Sequence, residues 1–520
     1  MNADQHWFAA EAALDKKDWK GADASYRQAL ELDPEHVPSL IGRSSALSQL
    51  GRHRDAHTSI MAAWDRRPAD PALRYGLAQR LRYFSEFSAL EECLLEPRVR
   101  REAPVPVIAK AALMLSSIGA HQGAVALADA GLQRQPGNAP LLFVRGNLHF
   151  FGGDAAAADQ CYEDALRSDP RMFQNAWMQA SLRTQDSDHN HVLRLRQQLK
   201  QATPGGMGEA YLQYALHKEL HDLGDYDGAW AALARGNQIK RLQTGYSPAN
   251  TSAYLEGMQR LCTERFLDRK STIDLTAVPI FIVGMHRSGT TLLERMLAGH
   301  SHIGDAGETS SFETQLGLAA DRAPSPHLDV AMLDRLAEAD FNVVAGGYAT
   351  HVTWLSRGKP LFTEKLPNNF WNVGFIAKAL PQAKILHLVR DPMDTCFSNL
   401  RTFFSGVAPY SYVQEELASF YLAYRQMMAH WHKVMPERVL DIDYQQLVSD
   451  PEAMARRVAA YCGLDYEEGM VDVSRSNGRV ATASASLARQ GIRRDRGGVW
   501  ERYRDYLGPM RAGLASLYEV

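Results

Sequence analysis

A 34-residue spacing of prolines organises the first 240 residues of this 520-residue chain. Small and aromatic residues recur at helix-face spacing before the prolines, as Ala22, Tyr26 and Ala29 do before the first of them. A fixed period of this length is typical of stacked helix pairs, and proline ends the second helix of a pair. The pattern predicts an all-helical array at the amino end. The prolines that mark it, separated by one or two periods of 34 residues, are Pro34, Pro68, Pro136, Pro170 and Pro204.

The period and the placement of alanine and proline resemble the tetratricopeptide-repeat family over about residues 5–240. Gly51, Gly152 and Gly224 fall where the turn between paired helices is expected. The resemblance implies a concave surface that binds a peptide or protein. It leaves open a scaffold that only dimerises or caps a neighbouring domain. We place the repeat domain at residues 1–265.

The pattern changes near Ile273, where helical periodicity gives way to short apolar runs bounded by polar residues. Such runs are typical of buried parallel strands, and here they alternate with helical patterns. The alternation predicts an α/β domain with a parallel sheet at residues 275–520, after a linker within 262–276. The predicted strands are 278–283, 384–389 and 438–443, and two of the predicted helices are 290–298 and 415–434.

The first strand leads into a glycine-bounded loop and then into a helix, over Phe281–Leu293. Gly284 and Gly289 permit backbone conformations that are closed to other residues. The amides of the loop and the helix start converge, and the helix dipole adds partial positive charge there. The stretch therefore predicts an anion cradle, most naturally for phosphate. Its side-chain donors are Arg287, Ser288, Thr290 and Thr291.

The spacing of this loop matches the nucleotide-triphosphate P-loop except at one position. Thr290 stands where the P-loop has its lysine. That lysine contacts the β- and γ-phosphates, so its absence argues against a kinase or ATPase, which remains the alternative. Arg287 supplies positive charge from within the loop instead.

The loop resembles the 5′-phosphosulfate loop of sulfotransferases and is especially similar to that of tyrosylprotein sulfotransferases. About 100 residues later, Leu386–Ser398 resembles the family's 3′-phosphate segment, a strand ending in arginine with a serine eight residues on. Arg390 and Ser398 keep that spacing. The resemblance implies that 3′-phosphoadenosine 5′-phosphosulfate (PAPS) is the donor and that Gly289 belongs to its binding loop.

Further segments resemble the family in the expected order. Glu308 stands where the family has its catalytic base, and Glu313 and Glu364 are the next candidates. Lys365 matches a transition-state lysine and Tyr444 a tyrosine at a strand end. The residues around 482–494 resemble the donor-covering loop, where Ser484 is favoured over its neighbours Thr482 and Ser486; Arg489 and Arg494 belong to the same loop.

The resemblance assigns roles to these residues. Glu308 takes the acceptor proton, while Lys365, Arg287 and Ser484 stabilise charge on the leaving nucleotide. Transfer in this family is in-line and metal-independent, and we expect no metal. His300, His302, His430 and His432 are interpreted as surface or packed histidines. Besides a sulfotransferase and a kinase or ATPase, a third hypothesis is a non-catalytic repeat adaptor with a decayed sulfotransferase fold. A decayed site would not require Arg287, Glu308, Lys365, Arg390 and Ser398 to be retained together, yet all five are present.

Composition excludes several other classes. The formal net charge of −3 does not favour nucleic acid as a partner. The five cysteines are scattered and odd in number, which indicates buried thiols rather than disulfides. No stretch reaches the ~18 apolar residues of a membrane span, and the first residues lack a signal-peptide pattern. We therefore expect a cytoplasmic enzyme.

The acceptor is less determined than the donor. The reaction needs a hydroxyl, and the repeats together with the tyrosylprotein resemblance favour a peptide or protein. A carbohydrate, lipid or small molecule remains open. The repeats either bind this acceptor or mediate oligomerisation.

Overall fold

The computed structural model describes residues 1–324, 328–472, 492 and 497–519. The prediction of a helical array is confirmed, because residues 1–277 contain seventeen α-helices and no strand. These are α1 Ala3–Asp15, α2 Trp19–Leu32, α3 Val37–Gln49, α4 His53–Asp65, α5 Pro71–Tyr83, α6 Phe87–Leu95, α7 Pro97–Glu102, α8 Val105–Ser117, α9 His121–Arg134, α10 Ala139–Gly152, α11 Ala155–Ser168, α12 Gln174–Leu182, α13 Val192–Leu199, α14 Met207–Asp222, α15 Tyr226–Leu242, α16 Pro248–Leu261 and α17 Glu264–Asp268.

The periodic prolines follow the second helix of each pair, as expected. Pro34 follows α2, and Pro170 follows α11. Gly51 and Gly224 occupy turns between paired helices at φ +73° and +81°, where glycine is favoured. The third turn differs by one residue: Gly152 ends α10, and Gly153 takes the left-handed position at φ +92°.

Tyrosines of the array pack onto glycines of a neighbouring helix. A Cβ on Gly146 of α10 would lie 2.4 Å from the ring of Tyr162 on α11, closer than atoms can approach. The Tyr162 hydroxyl donates to Asn147 Oδ1 at 2.8 Å. Tyr26 packs on Gly42 in the same way. The recurring tyrosine therefore depends on a residue without a side chain.

The α/β prediction is confirmed by a five-stranded parallel sheet of order β2-β3-β1-β4-β5. The three predicted strands are present, and the structure adds two short ones. The strands are β1 Val278–Gly284, β2 Ile303–Asp305, β3 Leu361–Glu364, β4 Lys384–Val389 and β5 Leu440–Asp443. The helices are α18 Thr290–Ala298, α19 Ser311–Ala320, α20 Val330–Ala337, α21 Phe341–Ser356, α22 Val373–Ala379, α23 Pro392–Leu400, α24 Gln414–Val434, α25 Tyr444–Ser449, α26 Pro451–Cys462 and α27 Gly508–Leu514; short 3₁₀ helices include Pro367–Trp371, Pro409–Tyr412 and Val499–Tyr506.

Hydrophobic cores do not follow the domain boundary that the sequence suggested. One core runs from Val37 to Leu148 within the array. A second core begins at Phe173 and extends to Leu514, so the later repeat helices share it with the α/β domain. The boundaries 1–265 and 275–520 stay predictions.

The earlier repeats also contact the α/β domain directly. Ser85 Oγ lies 2.8 Å from Thr314 Oγ1, and the Trp354 indole donates to Glu91 at 3.0 Å. The two regions thereby enclose a cleft. Within the ranges described, no helix combines the length and apolar character needed to cross a membrane. All five cysteines are free, and four of them are buried.

Candidate active site

The glycine-bounded loop emerges from β1 at the carboxyl end of the sheet. Gly284 has φ +147°, and a Cβ there would lie 2.8 Å from the Leu388 carbonyl oxygen on β4. Gly289 has φ +109° and would place a Cβ 2.6 Å from the Tyr444 ring. Both positions therefore require glycine, as the sequence predicts. The loop lies at a central strand, where ligands bind in open α/β sheets.

Three predicted donor residues from two distant segments meet at this loop. Arg287 takes a positive φ of +66°, and its Nε donates to Ser398 Oγ at 3.2 Å. Arg390 Nη1 donates to the Arg287 carbonyl oxygen at 3.4 Å. Two cationic side chains and a hydroxyl thus lie together, as an anion site requires.

Arg390 is oriented by several neighbours. Its guanidinium lies 4.6 Å from the centre of the Tyr444 ring and 3.6 Å from Asp394 Oδ2. Asp394 also accepts from the Gly498 amide at 2.8 Å. The structure therefore places Tyr444 beside Arg390 and Gly289. The pairing of Arg390 with Asp394 holds the guanidinium in place.

The remaining loop hydroxyls are buried. Ser288 donates to the Met285 carbonyl oxygen at 2.8 Å, which closes the loop turn. Thr290 and Thr291 begin α18 and line the cleft. His286 is a loop residue that sequence analysis did not single out. Burial lowers its pKa to about 4, and its Nδ1 lies 3.0 Å from the Tyr410 hydroxyl, so a neutral imidazole supports the loop.

Glu308 and Lys365, predicted from separate segments, form a hydrogen-bonded ion pair. The Lys365 amide donates to the Gly307 carbonyl oxygen at 2.9 Å, which aligns the two segments. The Lys365 side chain is 1% exposed and that of Glu308 is 35% exposed. A carboxylate that reaches the cleft is thus held beside a buried ammonium group.

The two alternative bases are placed elsewhere. Tyr348 donates to Glu364 at 2.6 Å, and burial raises the pKa of Glu364 to about 8. Glu313 accepts from Asn372 at 3.4 Å, and burial raises its pKa as well. Glu308 lines the cleft, whereas Glu313 and Glu364 do not. Among the three candidate carboxylates, the geometry therefore favours Glu308 as the catalytic base.

Glu294 is a further buried carboxylate that sequence analysis missed. Its Oε2 lies 3.9 Å from Lys365 Nζ. Burial raises the pKa of Glu294 to about 7, while the Lys365 ammonium opposes this shift. The available signal was its position on α18, four residues after Thr290 and so on the same helix face.

The loop and the ion pair open into one cleft of about 1380 Å³ between the array and the α/β domain. Arg287, Glu308 and Phe403 are among the residues of the α/β wall. The opposite wall comes from successive repeat helices and includes Phe150, Phe151, Trp177 and His221. The predicted reaction centre therefore faces the repeats directly.

Three predicted donor-loop residues, Ser484, Arg489 and Arg494, lie outside the described residues. The segment after them returns to the array. The Tyr503 hydroxyl lies 2.8 Å from His221 Nδ1 on α14. The roles of the three residues stay predictions.

The histidines interpreted as packed or surface residues have protein partners. His300 Nε2 lies 3.0 Å from the Asp465 carbonyl oxygen, and His430 Nε2 lies 2.9 Å from that of Cys262. His432 and His387 both contact Asp441 Oδ1, at 3.0 and 2.7 Å, and their ligand-type atoms lie within 4.8 Å of one another. Sequence analysis did not foresee this cluster of His387, His432 and Asp441. The absence of a bound metal stays a prediction.

The C-terminal part is an α/β domain whose predicted anion site lies at the carboxyl end of the central strand, and the N-terminal part is an array of helices. Family models match one segment in each part. Residues 279–468 match the sulfotransferase family, and residues 139–172 match a tetratricopeptide repeat. The C-terminal part of the chain thus contains a sulfotransferase domain.

Curated relatives match parts of the chain. An uncharacterised protein of Aquifex aeolicus is 30% identical over 309 residues, 57% of this chain and 40% of the relative. Protein-tyrosine sulfotransferase A of Caenorhabditis elegans is 24% identical over 214 residues, 38% of this chain and 55% of the relative. An omega-hydroxy-beta-dihydromenaquinone-9 sulfotransferase of Mycobacterium bovis is 24% identical over 248 residues, 36% of this chain and 64% of the relative. The chain thus covers less than two thirds of each.

Solved structures resemble each half at low similarity. The sulfotransferase domain from the curacin biosynthetic pathway has a TM-score of 0.31 and 16% identity, covering 47% of this chain and 99% of that domain. A tetratricopeptide repeat protein from Parabacteroides merdae has a TM-score of 0.35 and 12% identity, covering 47% of this chain and 94% of that protein.

Proposed function

We propose that this protein is a sulfotransferase that moves a sulfo group from PAPS to a hydroxyl of an acceptor held against the repeat array. The observation that carries the proposal is the shared cleft. Arg287, Glu308 and residues of the repeats line it, and Lys365 lies directly behind Glu308. Family membership of residues 279–468 supports the reaction type.

The donor would occupy two anion sites. The loop from Arg287 to Thr291 takes the 5′ end through its amides, its hydroxyls and the start of α18. Arg390 and Ser398 take the 3′-phosphate, since both already contact Arg287. A charged guanidinium–phosphate contact is among the stronger hydrogen bonds in proteins. The sequence resemblance adds Tyr444, Ser484, Arg489 and Arg494 to the donor site.

The chemistry needs one base and a cationic site for the leaving group. Glu308 removes the proton of the acceptor hydroxyl as its oxygen attacks sulfur. The bond between sulfur and the bridging oxygen breaks, and its electron pair stays with the nucleotide phosphate. Lys365 and Arg287 stabilise the charge that develops there. These side chains carry the step without a metal ion.

A peptide or protein tyrosine is the acceptor we favour. Repeat helices supply one whole wall, including Phe150 and Trp177. A relative named as a protein-tyrosine sulfotransferase supports the same choice. Oligomerisation through the repeats and a cytoplasmic location stay predictions.

The test is transfer from radiolabelled PAPS to a panel of tyrosine peptides, serine and threonine peptides, oligosaccharides and hydroxylated lipids, with Glu308→Gln as the inactive control. We expect labelling of tyrosine peptides first. Phosphoryl transfer from ATP with no sulfo transfer would establish the kinase alternative. Failure to bind or use PAPS with any acceptor, water included, would establish the adaptor alternative.

A further inference from the structure

Lys365 has two carboxylates near its ammonium group, of which the proposed mechanism uses one. The ammonium pairs with Glu308, and it lies 3.9 Å from Glu294 Oε2. The lysine side chain is 1% exposed. A buried cation that loses its counter-charge is strongly destabilised, because neither water nor another charge compensates it. Lys365 therefore needs an anionic partner at each stage of the reaction, including the stage before charge has developed on the leaving phosphate.

Glu294 is held in a fixed position between the helix and the sheet. It lies on α18 four residues after Thr290, so the two side chains project from the same face of that helix. Its Oε1 lies 3.5 Å from Thr363 Oγ1 on β3, while Oε2 faces Lys365. The carboxylate also lines the cleft. Glu294 and Glu308 thus both line the cleft, and both carboxylates are close to the Lys365 ammonium.

The charge on Glu308 changes during the proposed reaction. The acceptor oxygen forms its bond to sulfur and passes its proton to Glu308. The bond between sulfur and the bridging oxygen breaks, and its electron pair leaves with the nucleotide. A protonated Glu308 no longer balances the ammonium of Lys365. The lysine must nonetheless stay charged and in place, since it stabilises the leaving phosphate.

We propose that Glu294 is a positioning residue that takes over from Glu308 as the counter-ion of Lys365 when Glu308 accepts the acceptor proton. This inference rests on the proposed sulfotransferase function and deepens it. Glu294 acts through Lys365. The anionic form of Glu294 is the one that performs this role.

The role is pH-dependent in a defined direction. Burial and the carboxylates of Asp305 and Glu308 raise the pKa of Glu294 to about 7; Lys365 and Thr363, which also face it, oppose the shift. The carboxyl group is therefore neutral below that pH and charged above it. The benefit to turnover appears as pH rises through 7 and is absent on the acidic side.

The test compares kcat of the full-length wild type and Glu294→Gln at about pH 6 and about pH 8. Glutamine copies the shape of the neutral acid. The two proteins should therefore have the same kcat at the lower pH. At the higher pH the kcat of the variant should be about tenfold lower, which is a modest part of the electrostatic stabilisation that a unit charge supplies at this distance. The donor KM should not change. Glu338→Gln, the same change at an exposed position, is the control.

Two further readouts separate this role from a structural one. Glu294→Asp keeps the charge and should recover part of the high-pH rate that glutamine loses. The difference between the infrared spectra of the wild type and Glu294→Gln should contain a protonated-carboxyl band that titrates near pH 7, since Glu364 and Glu313 contribute to both spectra, and this holds whether or not the variant turns over.

A constant ratio of wild-type to Glu294→Gln rates at both pH values, with the wild type active, would overturn the inference and leave the sulfotransferase function intact. A wild type that transfers the sulfo group to no acceptor, water included, would overturn the proposed function instead. The inference would then fall with the reaction on which it rests.

Discussion

The repeat array and the α/β domain bury polar side chains in different ways. In the array, three buried tyrosines each direct the hydroxyl at a single polar partner; the pairs are Tyr26 with Glu11, Tyr162 with Asn147 and Tyr214 with Asn237. In the domain, buried ionisable groups gather at one end of the sheet, where Glu294, Glu364 and Lys365 are each less than a tenth exposed. Regular pairing supports stacking of the repeats. Concentrated buried charge costs stability and is typical of a functional site.

The largest effect that this comparison predicts is at the charged cluster. Glu308→Gln should lower kcat by ~10²–10⁴, because glutamine cannot accept the acceptor proton. Calorimetric binding of 3′-phosphoadenosine 5′-phosphate should be unchanged. Glu313→Gln, which alters a buried carboxylate away from the cleft, is the matched control and should stay within a few-fold of wild type. Near-normal turnover of Glu308→Gln would assign the base to another residue.

A second prediction perturbs the regular packing of the array. Gly146→Ala would place a Cβ 2.4 Å from the Tyr162 ring and should destabilise the array by about 1–3 kcal/mol in urea unfolding. Gly76→Ala on α5 is the control, since a Cβ there would lie 3.9 Å from Ile41 Cγ2, an ordinary contact distance, and alanine favours the helix. Donor binding should be normal in both variants. Equal stability of the two would show that the tyrosine–glycine contact does not matter.

The smallest predicted effect is at the wall that the array contributes to the cleft. Phe150→Ala should raise the acceptor KM by about tenfold with little change in kcat, as loss of an aromatic contact to the bound acceptor does. Phe8→Ala is the control, because Phe8 is an aromatic residue of the array that is 62% exposed. An unchanged KM for Phe150→Ala would show that the repeats do not hold the acceptor.

Much of the fold was predictable because its signals are local. Pro34 and Pro170 end helices through their own backbone constraints, and β4 begins and ends where the apolar run at 384–389 does. Gly284 and Gly289 were recognisable because they bound a short loop between an apolar strand and a helix. These signals lie within a few positions of each other in the sequence, whereas the Leu388 and Tyr444 atoms that exclude a Cβ come from distant segments.

What could not be predicted depends on contacts between distant segments. Strands β2 and β3 contain three and four residues and owe their form to pairing within the sheet. Glu294 resembles an ordinary helix residue until Lys365 is placed 3.9 Å away. The core shared by Phe173 and Leu514 crosses the boundary that composition suggested.

The most direct test of the sulfotransferase assignment is competition binding of adenosine 5′-phosphate and 3′-phosphoadenosine 5′-phosphate to the wild type and to Arg390→Ala. Arg390 lies beside Arg287 and Tyr444 and should hold the 3′-phosphate. The wild type should prefer the 3′-phosphorylated nucleotide by about ten- to a hundredfold, and the variant should lose most of that preference. Equal affinity of the wild type for both nucleotides would contradict the account.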